Sequence, residues 1–250
     1  IAVINTSPAQ SVTGTLKALN NEGQLIETKA LTLPARGRRQ IIISSEFAYH
    51  TGIGYIIFQA DSAAVQGYMK FYIEGTYRAT IPAIKEVNTS DIYISHIASD
   101  AQWWTGVSLV NTTSTAKELT ITFNTGQSVP FTLKASEHKA FTIADLFNAQ
   151  PRPDIQSAVI TNASGVIGLE LFGSNGGGQL DGLLLTGNTT STIYYPHVAN
   201  DGWWTGVVAY NPSAYACTMT ITPYSIQGTA LTPTTRPLAA KEKYVGVVSL

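Results

Sequence analysis

Two nearly identical stretches, about one hundred residues apart, constrain this chain more than anything else in it. His96-Ile97-Ala98-Ser99-Asp100-Ala101-Gln102-Trp103-Trp104-Thr105-Gly106-Val107 returns as His197-Val198-Ala199-Asn200-Asp201-Gly202-Trp203-Trp204-Thr205-Gly206-Val207, one residue shorter. All four tryptophans lie inside these copies. Self-similarity at a fixed period signals tandem copies of one structural unit, so each motif has to be weighed first against the needs of a repeated fold.

The repeat extends beyond the tryptophans. Leu33-Pro34-Ala35 to Ser45-Glu46-Phe47 matches Leu133-Lys134-Ala135 to Asp145-Leu146-Phe147, and Val65-Gln66-Gly67 matches Val166-Ile167-Gly168. Downstream, Leu238-Ala239-Ala240-Lys241-Glu242 matches Leu133-Lys134-Ala135-Ser136-Glu137, and Asn5, Asn111 and Asn211 end the same strand in each copy. The copies divide the chain into 1–90, lacking its opening segment, 91–190, complete, and 191–250, lacking its closing three strands. A sandwich short of three strands exposes core and edges. Either the third copy was cut short, or strands of another chain complete it. The opening Ile1-Ala2-Val3-Ile4-Asn5 reads as strand interior, with no signal peptide or initiator methionine, which suggests a processed or truncated start.

Period-two alternation dominates, as in Leu119, Ile121 and Phe123 with Thr120 and Thr122 between them. Similar runs are expected at 14–19, 25–33, 39–43, 54–59, 65–72, 129–133, 139–143, 157–161, 166–172 and 180–185. Turn formers separate them, among them Asn20-Asn21-Glu22-Gly23, Asn124-Thr125-Gly126 and the Gly173 to Gly178 run. Only 44–47 and 144–147 suggest helical turns. Short strands with polar turns predict an all-β chain of tandem antiparallel β-sandwiches, immunoglobulin-like, with about 100 residues each.

Composition narrows the function classes. Charged residues are 12% of the chain and the net charge is -1, so nucleic acid and anionic membranes are poor partners. Arg36, Arg38 and Arg39 form the one basic cluster and fall in a turn. No apolar stretch reaches the roughly 18–20 residues of a membrane span. Cys217, the single cysteine, alternates with Met219 and Ile221 and reads as a small buried apolar group that cannot form an intrachain disulfide. Low charge, abundant Thr and Asn, and Asn-x-Ser/Thr triplets at Asn5, Asn88, Asn111, Asn162 and Asn188 lean towards an exported protein.

A Trp-Trp pair on a strand sends its indoles to opposite faces. Trp103 shares parity with Thr105, Val107 and Leu109 and belongs to the core; Trp104 lies on the other side over Gly106. Trp203 and Trp204 follow suit. Trp104 and Trp204 then serve either as platforms for a sugar ring, with Tyr194 and Tyr195, or as contacts between units. His96 with Asp100, and His197 with Asp201, are the repeated titratable pairs. Two ligands fall short of a metal site, and a turn aspartate accepting main-chain N–H bonds accounts for the carboxylate. No Gly-x-Ser-x-Gly elbow, phosphate loop or calcium loop occurs, and the acidic residues are scattered, so neither catalysis nor a cofactor is expected.

The pattern His-x-Ala-x-Asp followed by Trp-Trp-Thr-Gly-Val-x-x-x-Asn, a Gly-containing hairpin and a Leu-x-Ala strand running on to Leu-Phe resembles a class of tandem β-sandwich repeats. These occur in exported and surface proteins of bacteria, mostly without assigned activity. Across the three copies the resemblance covers nearly the whole chain, and it implies an extracellular, non-catalytic module. The first copy lacks the His and Trp-Trp segment, so any site there exists at most twice. The expected function is that of a structural or adhesion protein of the cell surface, associating with itself or other surface proteins and forming filaments by strand addition. The alternative is a carbohydrate-binding module for polysaccharide.

Overall fold

The computed structural model describes residues 1–199 and 205–248. Trp203, Trp204 and Asp201 lie outside them. In the first copy the strands are β1 (Ala2–Asn5), β2 (Val12–Leu19), β3 (Leu25–Leu33), β4 (Arg38–Gln40), β5 (Tyr55–Ala60), β6 (Val65–Ile73) and β7 (Tyr77–Pro82). The second holds β8 (Ile92–Ile94), β9 (Trp103–Asn111), β10 (Lys117–Phe123), β11 (Ser128–Leu133), β12 (His138–Thr142), β13 (Ala158–Thr161), β14 (Val166–Ser174) and β15 (Leu180–Leu184). The third contributes β16 (Thr205–Tyr210), β17 (Cys217–Ile221), β18 (Thr234–Leu238) and β19 (Lys243–Val248). The expected helical turns appear as Ile43–Glu46 and Ala144–Phe147; strands β7, β8, β18 and β19 had no counterpart among the sequence expectations. Among the described residues no helix is long and apolar enough to cross a membrane.

Every named strand pair is antiparallel, and the strand orders repeat. Sheet β4-β1-β6-β7 has the order of β12-β9-β14-β15, and β3-β2-β5 that of β11-β10-β13, where β8 adds a fourth strand. In the third copy β16-β19 and β17-β18 form two two-stranded sheets. The middle pair encloses one core in a sandwich-like layering: Val107, Leu109 and Val166 from one sheet meet Leu119, Ile121, Phe123 and Ile160 from the other. Burying one face of each sheet is what the alternation demands.

The layers are joined by an asparagine at the end of β1, β9 and β16. The Nδ2 of Asn111 donates to the carbonyls of Thr115 (2.7 Å), Leu133 (3.3 Å) and Lys134 (2.9 Å), while its Oδ1 accepts from the Thr113 N–H (3.0 Å). Asn5 repeats this with Gln10, Leu33, Pro34 and Ser7, and Asn211 with Tyr215, Ala239 and Ser213. The turn below is shared too: Arg36, Ser136 and Lys241 take positive φ of 57°, 56° and 59°. The main-chain N–H groups of Asn5, Asn111 and Asn211 bond the carbonyls of Gly37, Glu137 and Glu242. Three unrelated side chains accept the left-handed conformation because the surrounding hydrogen bonds hold the turn.

This gives two of the Asn-x-Ser/Thr triplets a different meaning. Asn5 and Asn111 are buried with their amides engaged, and the third copy keeps the same turn with Asn211-Pro212-Ser213, whose proline a glycosylation acceptor does not tolerate. In these triplets Asn and Ser or Thr build a turn.

Cys217 departs from the expectation of burial. It lies on β17 opposite Leu238 but is exposed. It occupies the position of Lys117, at the mouth of the strand pair, and no neighbour of the β13 kind flanks β17 among the described residues. Met219 and Ile221, at the positions of the buried Leu119 and Ile121, are half-exposed for the same reason.

Replacing Asn111 by Ala removes the donor from buried carbonyls and is expected to cost about 2–4 kcal/mol, read by urea denaturation. Asn188→Ala, at an exposed triplet, is expected to stay within about 0.5 kcal/mol of the parent.

Candidate functional site

The His96 to Val107 segment folds around two side-chain clasps. The carboxylate of Asp100 accepts the main-chain N–H groups of Gln102 (2.7 Å) and Trp103 (2.8 Å), closing the turn before β9. The hydroxyl of Thr105 bonds both N–H and carbonyl of Ala98, each at 2.9 Å, and Thr205 repeats this on Ala199 at 2.8 and 3.2 Å. Asp100 and Thr105 therefore serve the fold; the Asp100 carboxylate is occupied by its own turn.

The two described indoles separate as strand parity requires. Trp103 takes the inward parity of Thr105 and Val107 yet is half-buried, because β9 begins there, at the rim of the core. Trp104 lies on the outer face across two glycines. A Cβ placed on Gly106 would come within 3.3 Å of its Cζ3, and one on Gly173 within 2.9 Å of its Cζ2, so the indole rests flat where strands carry no side chain. Beside it runs a shallow groove of about 330 Å³, lined by Trp104, Ser108, Thr142, Asp145, Leu169 and Leu171 among others. Tyr194 and Tyr195 do not line it. Tyr194 is exposed, and the Tyr195 hydroxyl bonds the carbonyl of Val208 at 2.8 Å, on β16. His197 is exposed.

His96 turns away from Asp100 into the junction with the third copy. Its ring meets Phe172 edge-on at 4.7 Å, and the Lys243 ammonium lies 3.5 Å from its Nδ1 while donating to the Ile97 carbonyl at 2.9 Å. Glu170, on β14 at the inward parity of Phe172, is fully buried; neither carboxylate oxygen completes a hydrogen bond. Burial pushes the Glu170 carboxyl up to about 8, against the pull of Lys243 and of the His96 main-chain N–H. Burial lowers Lys243 to about 8, opposed by Glu170, and lowers His96 to about 4, aided by the Lys243 charge.

Neither Glu170 nor Lys243 stood among the sequence candidates. Glu170 carried a legible signal: a charge at an inward position of the apolar run Val166 to Phe172. Lys243 had none, since its burial comes from packing between copies distant in sequence. Among the described residues no three His, Cys, Asp or Glu side chains gather as a metal site. Compared with protein-family models, curated proteins and solved structures, the chain finds no match.

His96 is expected to stay neutral down to about pH 4 in the folded protein, checked by NMR of its ring protons. Its folded value lies below the ordinary 6.5, so its contribution is complete above pH 6.5 and is lost as pH falls towards 4.

Proposed function

We propose that this chain is a non-catalytic structural protein of the cell surface or extracellular space, built from immunoglobulin-like sandwich units in tandem. It acts by associating with itself, and with other surface components, through strand addition. The observation that carries this reading is the docking of successive copies, with fully buried Ile81 of the first seated on Gly182 of the second. Among the described residues of the third copy, β16 and β17 each have one hydrogen-bonded neighbour where β9 and β10 have two, and Met219, Ile221 and Val247 stay half-exposed or exposed. An unpaired edge beside an uncovered apolar face is the template that an added strand fills. The weak charge imposes no long-range repulsion between copies.

Light scattering coupled to size exclusion is expected to show assembly that grows with concentration in the micromolar range. Met219→Lys, an inward charge on β17, should give monomers whose circular dichroism is otherwise unchanged. A wild-type chain monomeric throughout would overturn the reading.

A second reading rests on Trp104. An indole laid flat over Gly106 and Gly173, with Ser108, Thr142 and Asp145 beside it, suits the apolar face and hydroxyl rim of a sugar ring. Trp104→Ala is expected to abolish retention on a neutral polysaccharide gel in affinity electrophoresis while leaving the fold intact; equal retention of both proteins would remove it.

A further inference from the structure

The two junctions between successive copies share one geometry but differ in chemistry. At the first, the inward face of β6-β7 packs on the outward face of β14-β15. Ile81, paired with Met69, reaches Gly182, where a Cβ would meet its Cδ1 at 2.6 Å. Ile81 is fully buried. At the second, the inward face of β14 and the segment after β8 meet the outward face of β16-β19. Tyr210 lies 6.0 Å from Tyr93, and Lys243, paired with Tyr210, reaches His96 and Ile97.

The repeat alignment of Val65-Gln66-Gly67 with Val166-Ile167-Gly168 makes Met69 the counterpart of Glu170. The strand position that is apolar in the first copy is thus ionisable in the second. We propose that the second junction is a proton-gated contact, in which Lys243 of the third copy, bonded to Ile97 beside His96 and within electrostatic reach of the buried Glu170 of the second, holds the copies together as a function of pH.

The gate follows from the states of the cluster. At neutral pH Glu170 is an uncharged acid, His96 is neutral, and Lys243 carries the charge that its bond to Ile97 uses. Loss of the Glu170 proton leaves a buried carboxylate whose oxygens complete no hydrogen bond, and opening the junction hydrates it. The sign follows from linkage. A carboxyl held at about 8 when closed, against 4.5 when open, keeps its proton where the open form has lost it, so closure weakens as pH rises from 4.5 to 8. Between 4.5 and 6.5 His96 offsets this, because closure gains as its proton is lost from the open form. Above about 8 Lys243 acts in the opposite sense, and closure recovers towards 10.5. The response therefore falls between pH 6.5 and 8.

Other charged and titratable groups face the cluster. Asp100 is engaged by its turn, Arg236 pairs with Glu242 at 3.7 Å, Arg152 with Asp154 at 2.7 Å, and Tyr93, Tyr210 and Tyr244 are phenols. At the first junction His138 bonds Asn21 at 2.8 Å; burial lowers its pKa, so it titrates below 6.5.

Hydrogen exchange of the whole chain at pH 6.5 and 8, corrected for intrinsic rates, tests the gate and is independent of assembly when run on the monomer. Opening reported by residues 243–247 and 93–98 is expected to increase roughly tenfold per pH unit, while 79–82 and 180–184 at the first junction stay unchanged. Glu170→Met, which installs the residue of the first copy, should remove the response. Should that variant misfold, Glu170→Gln, the shape of the protonated acid, carries the same expectation. A wild-type junction equally protected at both pH values, or a variant that keeps the wild-type response, would overturn the proposal.

Discussion

The carboxamide of one asparagine per copy holds the architecture together. Asn111 stands at the end of a strand in one sheet and donates to carbonyls at the end of β11 in the other, so a single buried side chain fixes the separation and register of two layers. No other residue presents donors and an acceptor in the same plane at that reach. Its recurrence at Asn5 and Asn211, with the same left-handed turn beneath, explains how copies with few shared residues adopt one strand order.

The tryptophan segment follows the same logic. The features that make it conspicuous, the aspartate, the threonine and the glycine, each have a task in the backbone: closing a turn, clasping Ala98, and leaving room for an indole. What lies beside a groove on the outer face is the half-buried Trp104. The motif is thus largely a folding instruction, and the surface it offers is small.

Packing between copies introduces chemistry that none holds alone. Successive copies meet by laying the inward edge of one on the outward face of the next, which covers apolar surface that a small sandwich leaves open. Where that edge carries Met69 the contact is conventional. Where it carries Glu170, the half-buried lysine that arrives from the next copy bonds Ile97 beside His96, and burial raises the Glu170 carboxyl and lowers the Lys243 ammonium. Among the described residues of the third copy, where β17 pairs with β18 alone, Cys217 is exposed and Met219 and Ile221 are half-exposed.

Alternation with period two, the turn residues and the spaced repeats such as Leu33-Pro34-Ala35 and Leu133-Lys134-Ala135 were enough to read most of the strands, their antiparallel class and the opposite placement of Trp103 and Trp104, because each depends on backbone geometry within a few residues. The same local rule misjudged Cys217, since parity says which way a side chain points and not whether anything lies there. Glu170 was visible as a charge inside an apolar strand, yet its partner was not: Lys243 is 73 residues away in numbering and comes near only through the docking of one copy on another. Burial, and with it the protonation of the cluster, belongs to surfaces brought together in space; the tertiary structure alone decides it.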